Sequence, residues 1–535
     1  MALTGYNTGS PGVKITETND TGNVSSQSIT IGALVGNFTW GPVDTIKIIT
    51  DEDTLKRTFD LPYDSNYKDW FSAWNFLCYS KDLRVVRVVP STAKNASDVE
   101  GEAALIKSKE QFTAMYPSLI DEGKTAKIFA KYPGEYGNRI KVIIEDGETI
   151  EEGESKLSPY INQMITKDDV AVGVFVDNEL KEFGVYSFKE NSKTYNGESN
   201  YVISAVNNGS NYIYLIKETL ITYEEMSRTR NKINIEATLK GGVTGDISDA
   251  EYIAGWNLFD DPDATDVGLL IQGAGSTNVG KHIIDNIAGN RKDCIACVSP
   301  QESDVVNILD NTQTETLSTT STSLGYSQYR FMDGNYKYQY DHINDVYRWV
   351  PLNADMAGIF AQVDEESAPW FSPGNYSVKN VVKLAFYPTK AQRDELYKYR
   401  INPVTSFKDS GHILYGDWTG ADVNDAFNFV NVRRMFNYIE KSIIGYARKI
   451  LYKMNDEVTQ TSFFQAVDPF LREVQGGRGI SQYRVVCDST VNTSDVVASG
   501  KFVAKIYVLP VFSVRWVELN FINTRTTASF TETII

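Results

Sequence analysis

A glycine-rich segment is the most suggestive motif for chemistry in this chain. It reads GSTNVGKH over residues 275–282 and lies between an apparent strand, VGLLIQ, and an apparent helix, HIIDNIAG. This order resembles a phosphate-binding loop, in which backbone N–H groups hold phosphate and a Ser or Thr after the lysine binds Mg²⁺. Lys281 has the lysine position, but His282 stands where the metal ligand belongs, and the next strand does not end in the Asp of a metal site. We interpret the segment as a strand-to-helix turn, with a nucleotide-binding protein as a remote alternative.

Other reactive residue types are sparse or poorly spaced. Cys294 and Cys297 have the spacing of a redox or zinc half-site, but a strand places them on opposite faces and no second such pair follows. The acidic run DDPDATD (260–266) lacks the Gly and the distal Glu of a calcium-binding EF-hand. Only three histidines occur, so histidine-based catalysis is hard to build. We therefore predict no catalytic residues, no cofactor and no metal.

Composition narrows the class of protein. The 535 residues allow several domains, and 42% hydrophobic and 23% charged residues are ordinary for globular proteins. A formal net charge of −17 argues against a broad surface for nucleic acid or for an anionic membrane. Four cysteines make no disulfide framework in a chain of this length, which suits a reducing cytoplasm. We see no apolar run that could span a bilayer and no secretion signal.

The predicted secondary structure changes in character along the chain. Strands and helices alternate up to about residue 123, which indicates an α/β fold. From about 124 to 235 short strands such as VAVGVFVDN dominate and predict a mostly β insertion. The alternation then returns as far as about 375. The remainder carries helices at 391–400 and 421–456 and ends in a β-rich stretch.

The helix predicted near 430–454 holds two adjacent arginines. At about 100° per residue, its apolar residues form one stripe, which runs through Val432, Phe436, Ile439, Ile443, Ala447, Ile450 and Met454. Arg434, Lys441 and Arg448 are spaced seven apart, so they share a face nearly opposite that stripe and predict a cationic ridge. Arg433 and Glu440 are also seven apart and flank the stripe, where we predict an ion pair at the edge of the core.

Several segments together carry a family resemblance. They are SPGVKITE and VGNFTWGPVDT near the N-terminus, KYPGEYGNRIKV (131–142), WVPLNADMAGIFAQVDEESAPWFSPGNY (349–376) and FNFVNVRRMFNYIEKSI. In this order they resemble the N-terminus, the start of the inserted domain, the approach to the C-terminal domain and the signature helix of contractile-tail sheath proteins of myophages. The segments resemble in particular the sheaths of T-even-type myophages, although this chain has room for fewer inserted domains.

The resemblance implies an α+β or α/β multidomain fold. Its parts are an N-terminal arm (1–24), an N-terminal α/β segment (25–123), an inserted β-rich outer domain (124–235), a central α/β domain of subtilisin-like fold (236–375) and a C-terminal sheath core domain with its arm (376–535). The N-terminal and C-terminal segments are expected to build one α/β core together. "Subtilisin-like" names a fold only, since no Ser/His/Asp set is evident.

The resemblance also implies a structural protein rather than an enzyme. Sheath subunits stack as six-subunit rings around an inner tail tube, and contraction drives the tube through the host envelope for genome delivery. The implied partners are further copies of the chain, the inner tail tube protein, and the baseplate and tail terminator proteins. Direct binding of nucleic acid and stable membrane insertion are not expected. The implied location is the contractile tail of the virion, after assembly in the host cytoplasm.

Terminal arms link the subunits in this family, because each arm adds a strand to a neighbour's sheet. The residues with the alternation for such arm strands are Val13, Lys14, Ile15 and Thr16 at one end and Trp516, Val517, Leu519 and Phe521 at the other. The Arg434–Lys441–Arg448 ridge would then face either an acidic tube surface or another sheath subunit.

Two further alternatives stay open. A phage-derived bacteriocin or injection particle uses the same kind of sheath without delivering DNA. The β insertion favours a phage, because insertions decorate the outer surface of many phage sheaths. An adhesin would instead use residues 124–235 as a carbohydrate-binding module.

Overall fold

The computed structural model describes residues 24, 28–120, 123–151, 155–221, 232–308, 312–422 and 426–519. The chain divides into two compact units. The central unit is Ser28–Arg434, and the C-terminal unit is Met435–Ile535 together with Met1–Gln27. In the part of the chain that is described, no helix is long and apolar enough to cross a membrane.

The strands and helices are numbered separately in chain order. The strands are β1 (Gly32–Gly36), β2 (Ile46–Ile49), β3 (Leu83–Arg87), β4 (Ile128–Ala130), β5 (Ile140–Asp146), β6 (Asp169–Val176), β7 (Glu179–Ser187), β8 (Ile213–Leu215), β9 (Asn234–Thr238), β10 (Leu269–Ile271), β11 (Ile295–Val298), β12 (Arg330–Asp333), β13 (Tyr336–Asp341), β14 (Val346–Pro351), β15 (Lys383–Leu384), β16 (Ile401–Asn402), β17 (Val404–Phe407), β18 (Gly411–Leu414), β19 (Ile480–Val486) and β20 (Lys505–Pro510). The helices are α1 (Glu52–Phe59), α2 (Tyr67–Leu77), α3 (Lys109–Leu119), α4 (Gly147–Glu151), α5 (Val202–Gly209), α6 (Lys217–Leu220), α7 (Asp249–Trp256), α8 (Thr277–His282), α9 (Gly289–Arg291), α10 (Glu302–Val305), α11 (Gln313–Leu324), α12 (Asn353–Glu366), α13 (Lys390–Lys398), α14 (Val430–Ala447), α15 (Glu457–Gly476) and α16 (Ser494–Ala498).

A seven-stranded sheet in the order β16-β12-β11-β10-β1-β3-β2 forms the frame of the central unit. All neighbouring strands are parallel except β2, which pairs antiparallel with β3. One hydrophobic core on the sheet includes residues of α1, α2 and α12, and a second includes residues of α7, α8 and α11. Helices therefore cover both faces, which is why β1, β10 and β11 are buried apolar runs rather than alternating ones.

The composition of this sheet corrects one prediction. The predicted α/β core is built from the N-terminal and C-terminal segments, with the central segment as a separate domain, but β1, β2 and β3 lie in the same sheet as the strands of the central segment. The reason lies in β1, whose five residues are all buried and pair on one side with β3 and on the other with β10. Such a strand needs parallel partners along both of its edges, and the central segment supplies one of them. β16, from the segment predicted to open the C-terminal domain, lies in this sheet as well.

Strands predominate in the region predicted to be an insertion. It contains an antiparallel sheet in the order β7-β6-β5-β9, a two-stranded sheet of β4 and β8, and the short helices α4, α5 and α6. Where this region joins the rest of the central unit, isolated antiparallel β-bridges connect Lys94 to Val243 and Ser97 to Lys240. These bridges lie outside the predicted bounds of 124–235.

In the C-terminal unit, the last part of α14, α15 and a two-stranded sheet of β19 and β20 are the main elements. Its buried side chains include Ile439, Tyr446, Phe463, Val467 and Phe470. α14 ends at Ala447, earlier than the predicted helix near 430–454. The turn beyond it contains Tyr452 at φ 67°, a left-handed backbone angle that a continuing helix does not allow.

Candidate functional site

The glycine-rich segment forms the turn between β10 and α8, as we interpreted it. The Ser276 hydroxyl caps α8 by accepting hydrogen bonds from two backbone N–H groups of the first turn. Lys281 Nζ lies 2.7 Å from Asp285 Oδ2, one turn along the helix. His282 hydrogen-bonds to two asparagine side chains, those of residues 257 and 286. The side chains that a nucleotide site would need are therefore engaged with their own helix and its surroundings.

The cysteine pair lies in the hydrophobic core. Cys294 and Cys297 are both fully buried and belong to the cores on opposite faces of the central sheet, which confirms the predicted orientation. Burial raises the pKa of the Cys297 thiol, so it is not a reactive thiolate. Across the described residues, no group of three or more His, Cys, Asp or Glu side chains could hold a metal ion.

Arg434 is buried, which corrects the predicted ridge. Its side chain is 1% exposed, and its Nη2 lies 2.6 Å from Asp364 Oδ2. The guanidinium also stacks over the Phe360 ring at 4.7 Å. Helical periodicity predicts the ridge only for a helix with one buried face, whereas residues 431–435 are all buried. A helix surrounded in this way has no solvent face at this point.

Arg433 also lies deeper than the core edge where we placed it. It is 3% exposed, and its Nη1 lies 3.4 Å from Gln328 Oε1. Its guanidinium is over the Phe427 ring at 4.6 Å and the Tyr329 ring at 5.2 Å. Aromatic faces attract a desolvated guanidinium, which stabilises this burial. The ion pair between Arg433 and Glu440 stays a prediction.

The other two ridge positions differ from Arg434. Lys441 is half-buried, and Arg448, just beyond the end of α14, is exposed. The turn that follows combines exposed cations with strongly exposed apolar side chains, and we call residues 448–454 the basic turn. Its apolar members are Leu451, Tyr452 and Met454, at 64%, 106% and 81% exposure. Exposed apolar side chains beside cations, on a protein of net charge −17, mark a candidate contact surface.

A second candidate surface is the C-terminal segment, residues 511–519. Val514, Trp516, Val517 and Leu519 are 80%, 83%, 75% and 70% exposed. No strand is formed in this stretch. Four large apolar side chains within six residues favour burial against another molecule.

The third candidate surface is the small sheet of β19 and β20. These two strands pair antiparallel, and α15 packs against β19. Within the described ranges, neither strand has another strand as a neighbour. A sheet of only two strands is marginally stable and leaves edges to which a strand can be added.

The remaining arm residues lie outside the described residues. They are Val13, Lys14, Ile15, Thr16 and Phe521. Their assignment to intersubunit strands stays a prediction, as does that of Trp516, Val517 and Leu519.

Sequence reasoning missed a set of buried charges under β13. This strand alternates tyrosine with polar residues, and Lys337, Gln339 and Asp341 are the fully buried ones. Lys337 Nζ lies 2.8 Å from Asp355 Oδ1, and both side chains are 0% exposed. Asp341 pairs with Arg348 of β14. Alternation alone would have indicated two faces, but it would have placed the tyrosines inside.

Comparison with known proteins finds relatives that match nearly the whole chain. Residues 245–419 match the sequence profile of the phage tail sheath protein central domain, and residues 422–522 match that of the phage tail sheath C-terminal domain. The tail sheath protein of Enterobacteria phage T4 is 31% identical, over 98% of this chain and 98% of that protein. The tail sheath protein of Vibrio phage KVP40 is 28% identical, over 98% of this chain and 99% of that protein.

A solved structure has the same fold. The sheath of an extracellular contractile injection system, the PVC sheath complex in its contracted state, matches with a TM-score of 0.55 at 14% identity. The match covers 98% of this chain and 99% of that chain. The fold and the sequence matches define a structural protein of a contractile tail, in a family that is not a family of enzymes. This chain belongs to the phage tail sheath family, so it is a virion component that forms part of a contractile tail sheath.

Proposed function

We propose that this chain polymerises as stacked six-subunit rings around an inner tail tube. Contraction of the resulting sheath then drives the tube through the host envelope to deliver the genome. The observation that carries the proposal is that one unit contains both an exposed apolar segment, residues 511–519, and a sheet of only two strands. Residues 511–519 expose apolar side chains that another molecule can bury. The edges of the β19–β20 sheet have backbone N–H and C=O groups that can pair with an added strand.

The terminal arms provide the link between subunits. Val13 to Thr16 and Trp516 to Phe521 add strands to the β19–β20 sheet of neighbouring subunits. Main-chain hydrogen bonds of this kind tolerate large rotations of the subunits, because the arms act as hinged tethers. The links therefore persist from the extended to the contracted sheath.

The basic turn provides the contact to the tube or to another sheath subunit, in place of the predicted ridge. Arg448, Lys449 and Lys453 are its exposed cations. Screened ion pairs at such a surface are each worth less than about 1 kcal/mol. Weak contacts of this kind suit a surface that must release its partner on contraction.

The remaining parts of the proposal concern partners and location. Baseplate and tail terminator proteins bind the two ends of the sheath, and assembly takes place in the host cytoplasm, where the four thiols stay reduced. The chain has no catalytic turnover, binds no nucleic acid directly and inserts stably into no membrane. A sheath of a phage-derived injection particle is the alternative, because the PVC sheath shares the fold.

Electron microscopy of the purified full chain tests the proposal. Under polymerising conditions, negative-stain images should show rods whose end-on views have six-fold symmetry. Rods with another symmetry would disprove the six-subunit ring, and a chain that stays monomeric at every concentration and salt condition would disprove self-assembly. ATP added to the same preparation should change neither the rods nor the phosphate content of the solution.

A further inference from the structure

The central sheet has a crevice of the kind where α/β proteins bind ligands. After β1 the chain forms β2 and β3 on one side of it, and it later returns to form β10 on the other side. The direction of the connections therefore reverses between β1 and β10. In open α/β sheets, ligands bind at the carboxyl ends of the strands at such a switch point.

The carboxylate of Asp69 occupies this crevice. Asp69 is on α2 and is 2% exposed. Its Oδ2 accepts hydrogen bonds from the backbone N–H of Asn37, at 2.8 Å, and from the Tyr252 hydroxyl, at 2.6 Å. Its Oδ1 accepts from the backbone N–H of Ala274 at 2.7 Å. Since Asn37 follows β1 and Ala274 lies in the turn after β10, donors from both sides of the switch point converge on one anion.

Glycines at the two strand ends make room for this carboxylate. Gly273 has φ +65°, and a Cβ added there would lie 2.6 Å from Asp69 Oδ1. A Cβ added at Gly36, the last residue of β1, would lie 2.8 Å from Asp69 Cβ. Glycines have the same purpose in dinucleotide-binding turns, where they let the backbone approach a pyrophosphate.

The crevice opens into a cavity of about 1290 Å³. Asn37, Tyr252 and Ala274, which donate to Asp69, are among its lining residues. The donors thus lie at the wall of a solvent-accessible space, and a small ion has a path to them once the carboxylate is removed. Burial raises the pKa of Asp69, and the hydrogen bonds from Asn37, Tyr252 and Ala274 oppose that rise.

We infer that the switch-point crevice is a binding site for a small oxyanion, and that the protein's own Asp69 carboxylate is the anion bound there. The carboxylate fills the crevice, and its hydrogen bonds connect α2 to α7 and to the segments that follow β1 and β10. This inference goes beyond the proposed sheath function and is independent of polymerisation. It predicts that removing the carboxylate creates a site for a free oxyanion.

Anion rescue of Asp69→Ala in the full chain tests the inference. We expect the variant to melt at a lower temperature than the wild type. Sodium formate should then raise its melting temperature in a saturable way relative to sodium chloride of equal ionic strength, because a ligand that binds only the folded state stabilises it. Inorganic phosphate, tested in the same way, shows whether the crevice takes oxyanions in general or only one of carboxylate size. Either result agrees with the inference.

Three matched samples give the test its controls. The wild type and Asp64→Ala, which removes a carboxylate that is 93% exposed, should show no formate-specific shift. Asp69→Asn should also melt at a lower temperature, and formate should not raise it. The amide fills the crevice, and its NH₂ group faces N–H or O–H donors instead of accepting from them. If Asp69→Ala does not fold, formate in the refolding buffer should recover soluble protein and chloride should not. Equal responses of Asp69→Ala and the controls, or no recovery with either formate or phosphate, would overturn the inference.

Discussion

The two units of this protein differ in the side chains that set each of them apart. The central unit buries charges in pairs, as in Arg434 with Asp364 and in Lys337 with Asp355. The C-terminal unit concentrates exposed apolar side chains in two short segments, with Tyr452 at 106% exposure in the basic turn and Trp516 at 83% in residues 511–519. Met164 and Tyr195 in the central unit are as exposed, but they lie far apart in sequence. A buried charge must find its partner inside the same fold, whereas an exposed apolar side chain can be covered by another molecule. The difference is what we expect if the central unit is completed by its own chain and, as proposed, the C-terminal unit is completed by other subunits.

The physical consequence is that damage to the two units should have different readouts. Breaking a buried ion pair leaves a charge without a partner in a medium of low polarity, so it lowers the free energy of unfolding of the monomer. Removing an exposed apolar side chain removes burial that exists only in the assembly, at about 1.5–3 kcal/mol for each side chain that becomes fully buried. The monomer should be almost unaffected by that change.

The largest expected effect is on assembly. Replacing Trp516, Val517 and Leu519 together by serine should abolish long tubes, because three arm side chains lose their apolar contacts. The melting temperature and circular dichroism of the monomer should not change. The matched control is Met164→Ser with Tyr195→Ser, which removes side chains that are 92% and 105% exposed in the inserted region. The triple variant and the control forming tubes equally well would show that the C-terminal segment is not an arm.

A smaller effect is expected from Arg434→Ala. The variant should lose about 3–5 kcal/mol of unfolding free energy, because it leaves Asp364 buried without its cation. Urea denaturation of the monomer measures this loss. The double variant Arg434→Met with Asp364→Leu should recover most of it, since neither member of the pair then leaves a buried charge without its partner.

Arg448→Ala is the matched control for that experiment. Arg448 is exposed, so its replacement should change the unfolding free energy by no more than about 0.5 kcal/mol. Equal stability losses for Arg434→Ala and Arg448→Ala would contradict the distinction between a buried ion pair at Arg434 and an exposed basic turn at Arg448.

The most gradual expected effect is a pH dependence of stability within the central unit. Burial raises the pKa of Asp333 from 3.8 to about 7. Between these values the folded state holds the proton and the unfolded state does not, so stability falls as pH rises, by up to about 1.4 kcal/mol per unit. Asp333→Asn should remove this slope between pH 4 and about 7. Urea unfolding of both proteins at several pH values measures it, and parallel curves would show that Asp333 does not contribute.

The sequence predicts the parts of this account that depend on local pattern. Alternation of strands and helices indicates the α/β fold, and the order of VGLLIQ, the Gly-rich segment and HIIDNIAG indicates a strand-to-helix turn. The strand spacing of Cys294 and Cys297 gives their opposite faces. Each of these inferences needs only neighbouring residues, and each agrees with the structure.

The burial of Arg434 could not be predicted in this way. Helical periodicity separates two faces, but it does not say whether the polar face meets water or a second layer of the protein. The partner, Asp364, is 70 residues away in sequence, so only the tertiary fold brings the two together. The same holds for Lys337 and for the membership of β1 in the central sheet, which depend on long-range pairing.

A cryo-electron microscopy reconstruction of the polymerised full chain tests the central claim most directly. The account predicts that each β19–β20 sheet gains at least one further strand, and that this strand comes from a terminal arm of a neighbouring subunit. It also predicts that residues 514–519 are covered in the polymer. A reconstruction in which the sheet keeps two strands and the C-terminal segment stays in solvent would contradict the claim that other subunits complete the C-terminal unit.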